Sequence, residues 1–397
     1  ELQQAKDHVH TGIDVFTARW QKPFLQGGYG FRRDWGLEGT RELIERIHRQ
    51  DALAACYTVP LVADEQTAPY RALGEEARVI VNGKKASSFS DPRMCLGYGP
   101  YAEFIVEQSV LWARRMGYDI TYFDCLGWGT SEKEVCENPL HKHGDRFYGY
   151  LPACSRFFAL ARRRLRAEVS PAHALITEGP LVDVLFQYLD GTYDYNVRQR
   201  LQYPDFYDDP IHLPRFAFPD FKFFEIKDKR VDPAEIRQQI DWCLFNGVGL
   251  YTFYMDDRWG DISQQPTIRR IMDLMQKHGR AFGGDSVEPA LATAAPGLHA
   301  NRFAAPEHTV LTFFNSNAYD IGGELLAVEA ETAMHYVDPL QLTSLPLSPR
   351  GRLVSRVPAR GAAVAVKYPR RISLQRQGLW LTLQTPRSES GRLLLKT

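Results

Sequence analysis

At 397 residues the chain exceeds one ordinary domain and suits a barrel of roughly 250 residues followed by a module of roughly 100. Apolar residues make up 44% and charged residues 24%, a globular composition that excludes a disordered chain. Lysine plus arginine and aspartate plus glutamate balance at 48 each, which excludes the strong basic field of a nucleic-acid or acidic-membrane binder and points to a neutral partner.

From residue 40 to residue 280, short apolar or aromatic runs alternate with segments of helical period, the pattern of repeated βα units. Gly12 to Trp20 reads as a first strand. Leu43, Ile44 and Ile47 mark a helix that precedes the apolar run Ala52 to Val59. Val79-Ile-Val-Asn82-Gly83-Lys-Lys then reads as a hairpin with a type I′ turn, inserted on the face that carries chemistry in such barrels. Residues 101 to 116, with Phe104, Ile105, Leu111 and Trp112 on recurring turns, lead into the strand Asp119-Ile-Thr-Tyr-Phe-Asp124. A helix over 146 to 168 leads into Ala172-His-Ala-Leu-Ile-Thr-Glu178, and its Arg162-Arg-Arg-Leu-Arg166 run reads as a solvated flank.

A short helix near 181 to 189 and strands at 192 to 197 and 221 to 226 follow. Asp232 as N-cap and Pro233 at the first helical position open a helix with Ile236, Ile240 and Leu244 on one face, which precedes the strand Gly249 to Tyr254. Ile268, Ile271, Met272 and Met275 mark the last helix. The expected fold class is therefore α/β, a (β/α) TIM-type barrel of seven visible strands; either one strand is hidden or the usual first one lies upstream of Glu1.

After Gly283-Gly284 the period changes from helical to alternating, with strands at Thr309 to Asn315, Glu324 to Glu329, Arg352 to Val357, Ala362 to Lys367 and Leu379 to Gln384. Turn residues separate them, which predicts an antiparallel β-sandwich. The expected domains are a barrel over 1–284 and a β-sandwich over 285–397. No apolar run of about 18 residues is present, so no membrane span is expected. The chain opens on Glu1-Leu-Gln-Gln without an apolar signal segment, and reads as soluble, either cytoplasmic or secreted after signal removal.

In a (β/α) barrel, function sits at the C-terminal ends of the strands and in the loops that follow. Asp124 ends one predicted strand and precedes Cys-Leu-Gly-Trp-Gly; Glu178 ends the next and precedes Gly179-Pro180. Each alone reads equally well as an acid capping the turn after a strand. Together they supply what glycosidic bond cleavage needs, one carboxylate to attack or stabilise the oxocarbenium-like centre and one carboxylic acid to protonate the leaving oxygen. Their mutual repulsion favours the protonated form of one of them.

Tyr-Phe-Asp-Cys-Leu-Gly-Trp-Gly, Ile-Thr-Glu-Gly-Pro one βα unit later, and the tail with Val357-Pro-Ala-Arg-Gly361 resemble retaining glycoside hydrolases of the α-amylase type and of the endo-α-N-acetylgalactosaminidase-like type. The resemblance implies Asp124 as nucleophile after the fourth strand and Glu178 as acid/base after the fifth. It also implies a third acid, for which Asp256 or Asp257 in Tyr-Met-Asp-Asp-Arg-Trp is the candidate. An Arg two positions before the nucleophile belongs to the α-amylase motif, and Tyr122 stands there instead, which disfavours a true α-amylase.

Trp20, Trp128, Tyr254 and Trp259 are candidate stacking platforms for a sugar, with loop packing the plainer alternative. Arg32 and Asp34, after Gly27-Gly-Tyr-Gly, are further substrate-binding candidates, although a solvated charge cluster explains them as simply. The Gly-x-Gly elements near Gly28 and Gly127 lack the dinucleotide fingerprint. Cys56, Cys95, Cys125, Cys136, Cys154 and Cys243 form no CxxC pair and read as buried free thiols. His141 and His143 stand two residues apart with no third ligand nearby in sequence, so neither metal nor cofactor is expected. The expected partner is an oligosaccharide or glycoside, cleaved with retention; the alternative is a non-catalytic carbohydrate-binding protein on a hydrolase-derived barrel.

Overall fold

The structure is a computed structural model that describes residues 10–11, 36–49, 53–63, 65, 68–88, 91–129, 136–141, 151–179, 181–194, 206–226, 233–251, 266–328, 334–368, 373–377 and 380–384. The chain forms two compact units, Glu1–Gln199 with Phe221–Arg230 and Gly249–Ile262, and Arg200–Asp220 with Val231–Val248 and Ser263–Thr397.

The first unit holds a seven-stranded sheet. Its strands are β1 (His10–Thr11), β2 (Ala55–Thr58), β7 (Ile120–Phe123), β8 (Ala174–Glu178), β9 (Gly191–Asp194), β10 (Lys222–Ile226) and β11 (Gly249–Tyr251), hydrogen-bonded in that order. The small strands β3 (Ile80–Val81), β4 (Lys84–Lys85), β5 (Ser87–Ser88) and β6 (Asp91–Pro92) lie in the insertion between β2 and β7 as two antiparallel pairs. Asn82 at φ 50° and Gly83 at φ 71° close the first pair as the expected type I′ turn.

From β2 to β11 neighbouring strands of this sheet run parallel, each crossover bringing the chain back to the same end of the sheet before the next strand is added alongside. The strand β1 differs, because it pairs antiparallel with β2, His10 against Tyr57. It therefore adds no βα unit, and among the described residues the sheet does not close on itself. The strand expected over Gly12 to Trp20 lies outside the described residues, as does Asp232.

Parity divides the sheet's two faces. Phe123 points to the helical side, with its ring 4.8 Å from that of Phe157 on the helix Leu151–Glu168. Tyr57, Val59, Tyr122, Ile176 and Tyr193 gather on the other face in one apolar cluster. The arginine run is only partly a solvated flank. Arg162 and Arg166, one turn apart, both pair with Asp190 at the entrance to β9, at 3.3 and 2.8 Å, and the other oxygen of Asp190 accepts the Leu175 N–H at 2.8 Å. Between Gly179 and Gly191 the structure has a 3₁₀ turn at Asp183–Leu185 where a short helix is expected.

The second unit is built on antiparallel sheets. The strands β12 (Val287–Glu288), β13 (Leu298–Ala304), β14 (Thr309–Asn315), β16 (His335–Asp338), β17 (Thr343–Leu345) and β19 (Ala362–Tyr368) form a six-stranded sheet in the order β12-β13-β14-β19-β16-β17. Strands β15 (Ile321–Ala327) and β18 (Arg352–Val357) pair separately, as do β20 (Ser373–Gln377) and β21 (Trp380–Gln384). Leu298, Leu311, Phe313 and Tyr336 of the large sheet pack with Ile321, Leu325, Leu353 and Val357 of the small one, the core of the expected sandwich.

Strict alternation fails at β14, which is buried along nearly its whole length. Its second face meets the helix Pro233–Asn246, whose C-terminal Phe245 carbonyl accepts from Thr312 Oγ1 at 2.6 Å and from Asn301 Nδ2 at 3.0 Å. Among the described residues no helix is long and apolar enough to cross a membrane.

Candidate active site

Asp124 and Glu178 come together at the C-terminal ends of β7 and β8. Because these strands are neighbours in parallel register, Tyr122 opposite Ile176, their inward residues two positions on lie side by side. Asp124 is 4% exposed and Glu178 9%. One carboxylate oxygen of each, together with Cys125 Sγ, lie within 4.8 Å of one another.

Backbone geometry fixes both side chains. The Asp124 N–H bonds to Thr58 O at 2.8 Å, extending the β2–β7 ladder past the strand end. Cys125 then takes φ 63°, swinging the chain into the short helix Leu126–Gly129. Gly179 at φ 103° turns the chain after Glu178, and its N–H bonds to Tyr193 O at 2.7 Å. Gly127 packs so tightly that a Cβ there would lie 2.8 Å from the carbonyl carbon of Gly179 and closer still to the Glu178 carbonyl oxygen. The glycine-rich turn after Asp124 thus serves close backbone approach to the neighbouring strand end.

Both Asp124 oxygens accept hydrogen bonds. Tyr57 Oη donates to Oδ2, and Tyr122 Oη donates to Oδ1 at 3.0 Å. Burial, and then the nearby Asp124 charge, push the Tyr57 phenol well above its usual range, so it remains a donor. Cys125 Sγ lies 3.5 Å from Asp124 Oδ2 and 3.6 Å from Glu178 Oε2. Burial first, and the Asp124 and Glu178 carboxylates next, raise its thiol well above the ordinary value. It is a protonated donor between two acceptors. Below them, Tyr122 meets Tyr57 edge-on at 5.2 Å and Tyr193 at 4.8 Å, and Tyr193 meets Phe224 at 5.0 Å, an aromatic floor across the inward face.

Asp124, Cys125 and Glu178 are also near enough to one another to ligate a cation, as a mixed set of two hard carboxylates and a soft thiol. Trp128 lies in the helix Leu126–Gly129, with its side chain outside the described residues, as are Trp20, Arg32, Asp34, Tyr254, Asp256, Asp257 and Trp259. Sequence reasoning missed Tyr57. Its one available signal is its place two residues before the end of the apolar run Ala52 to Val59. It also missed Asp194 and Glu225, 7% and 1% exposed and register partners on β9 and β10. Strand parity puts this pair on the face opposite Asp124 and Glu178.

The fold that carries the site is a parallel α/β sheet of barrel type with an antiparallel sandwich. Solved structures share it: an Anoxybacillus α-amylase at 11% identity and TM-score 0.59, over 84% of this chain and 80% of that one; the α-amylase of Geobacillus thermoleovorans complexed with acarbose at 10% and 0.58, over 83% and 80%; and an α-amylase from Lactobacillus plantarum at 14% and 0.58, over 85% and 83%. No protein-family model and no curated protein matches the chain.

Proposed function

We propose that the protein is a retaining O-glycoside hydrolase in which Asp124 is the nucleophile and Glu178 the acid/base. The separation of the two carboxylates carries the reading. Retaining enzymes hold them about 5–5.5 Å apart, whereas inverting enzymes leave about 6.5–9.5 Å for an intervening water. One oxygen of each carboxylate within 4.8 Å of the other is compatible with the shorter spacing. The fold shared with solved α-amylases supports the same chemistry, with an oligosaccharide or glycoside as substrate.

In this mechanism Asp124 attacks the anomeric carbon while Glu178 gives its proton to the leaving oxygen, forming a glycosyl-enzyme. Glu178, now a carboxylate, takes a proton from the water that cleaves the ester. Tyr57 and Tyr122 hold the attacking carboxylate in place, so its orientation costs nothing at the moment of reaction. Once substrate displaces water, the buried pair acts in a low-dielectric setting where charge development is strongly felt.

A panel of aryl α- and β-glycosides, turned over by wild type and by Asp124→Asn, tests the assignment. Activity on one anomer, lost by at least about a hundredfold in the variant, is expected. With Glu178→Gln, an activated aryl glycoside should accumulate glycosyl-enzyme, and azide should release it as the azide of retained configuration. Equal turnover by all three proteins would remove both residues from catalysis, and binding of glycans without turnover by the wild type would leave a carbohydrate-binding protein.

A further inference from the structure

A second cluster lies apart from the carboxylate pair, within the same unit. Cys95 follows the hairpin insertion, and Cys136 and His141 lie in the loop that leaves β7 and Asp124. They are 41 and 46 residues from Cys95 in sequence, yet one ligating atom from each lies within 4.8 Å of the others. All three are buried, at 0%, 4% and 8% exposed.

The surroundings orient them as ligands. His141 Nε2 lies 2.6 Å from the Glu76 carbonyl oxygen, which can only accept, so Nε2 carries the proton and Nδ1 keeps its lone pair. That Nδ1 faces Cys136 Sγ at 3.2 Å. An imidazole fixed through its other nitrogen by a carbonyl is the usual support of a metal-bound histidine. On the other side, the Gly97 N–H donates to Cys95 Sγ at 3.3 Å, which fixes the sulfur within the tight turn Cys95-Leu-Gly. Tetrahedral zinc sets sulfur and nitrogen ligands about 3.5 Å apart and two sulfurs about 3.8 Å apart, which this cluster accommodates with small movements.

We propose that Cys95, Cys136 and His141 bind a structural zinc ion that pins the loop after Asp124 to the insertion between β2 and β7. Two soft thiolates and an imidazole suit zinc over the hard cations. Burial keeps substrate away, so the role is structural, and the three residues leave one tetrahedral position for water or a fourth side chain. The segment is already docked by backbone-directed bonds: Glu137 N–H to Ile80 O at 2.7 Å, and Asn138 Nδ2 to Arg78 O at 3.0 Å. Metal binding would convert this docking into a cross-link between segments far apart in sequence, and would expel the two thiol protons on loading.

Elemental analysis of the full chain, purified without metal-affinity steps and dialysed against a weak chelator, is the test. About one zinc per chain is expected, released by a mercurial thiol reagent, and cobalt substitution should give the sulfur-to-cobalt charge-transfer and intense d–d bands of a tetrahedral thiolate site. Cys136→Ser and His141→Gln should each lose the metal, while Cys243→Ser, in the other unit, should keep it. Zinc-free protein with free Cys95 and Cys136 thiols, a Cys95–Cys136 disulfide in the mass spectrum, or full zinc in both ligand variants would overturn the site. Should Cys136→Ser fail to fold, the zinc content and cobalt spectrum of the wild type decide. None of these measurements depends on glycosidase activity.

Discussion

The Tyr57 hydroxyl on β2 donates a hydrogen bond to Oδ2 of Asp124, which lies just past the end of the neighbouring β7. The two residues are 67 positions apart in sequence and are joined by strand register, with Tyr57 opposite Tyr122.

Replacing Tyr57 by Phe removes a donor from a buried carboxylate while leaving the ring in its edge-on contact with Tyr122. A hydrogen bond to a charged group contributes about 1.5–3 kcal/mol, so kcat should fall by about ten- to a hundredfold. KM should change little, because the hydroxyl lies beneath the carboxylate. Steady-state kinetics on an aryl glycoside separate the two, and a variant with raised KM and unchanged kcat would show that Tyr57 serves binding instead.

Gly127→Ala should harm the site more than the fold. The new methyl would press on the backbone at Glu178 and Gly179 and displace Glu178 from Asp124. Overpacking of this kind costs about 1–3 kcal/mol, which a urea melt reads directly. Turnover should drop by more than tenfold on substrates with poor leaving groups, whose protonation depends most on Glu178. Unchanged stability and activity would mean that the turn yields freely.

Cys125 is the one cysteine of the six that is not fully buried, yet its thiol is raised by burial and by two carboxylates. Since the thiolate is the reactive form, alkylation by iodoacetamide should be slow at neutral pH and should accelerate only above the range of an ordinary thiol. Mass-spectrometric labelling against pH measures this. Rapid modification at neutral pH would contradict the environment described.

His173 is buried against Thr121, its Nε2 2.9 Å from the hydroxyl. Burial outweighs the pull of Asp119 and Asp190 and lowers its pKa from 6.5 to about 4. The unfolded chain therefore takes up the proton first. Stability from this group is complete above pH 6.5 and is lost as pH falls through about 4, with a limiting slope of about one proton per unfolding event. Denaturation series at about pH 7.5 and about pH 5 should show His173→Gln losing less stability on acidification than the wild type.

The strands and helices were legible in the sequence because hydrophobic period is a local property. Asp119 to Asp124 and Ala172 to Glu178 read as strands that Asp124 and Glu178 end, each just before a glycine-containing turn. Parallel connection then makes them neighbours, so the carboxylate pair was readable before any contact was known. The antiparallel sandwich was readable from the same period, but the burial of β14 on both faces was not, since a strand cannot reveal how many layers cover it.

Other features depend on which distant segments share a register or a turn. Nothing near Tyr57 marks it as a partner of Asp124, and nothing near Arg162 and Arg166 marks them as partners of Asp190. His141 stands beside one histidine in sequence and, in the fold, beside Cys136 and Cys95. The chain's local chemistry set which side chains were available for ligation or catalysis. Only tertiary structure brought them within bonding distance, because the free energy that closes those long loops comes from burial of the whole sheet and its helices rather than from the few residues that meet.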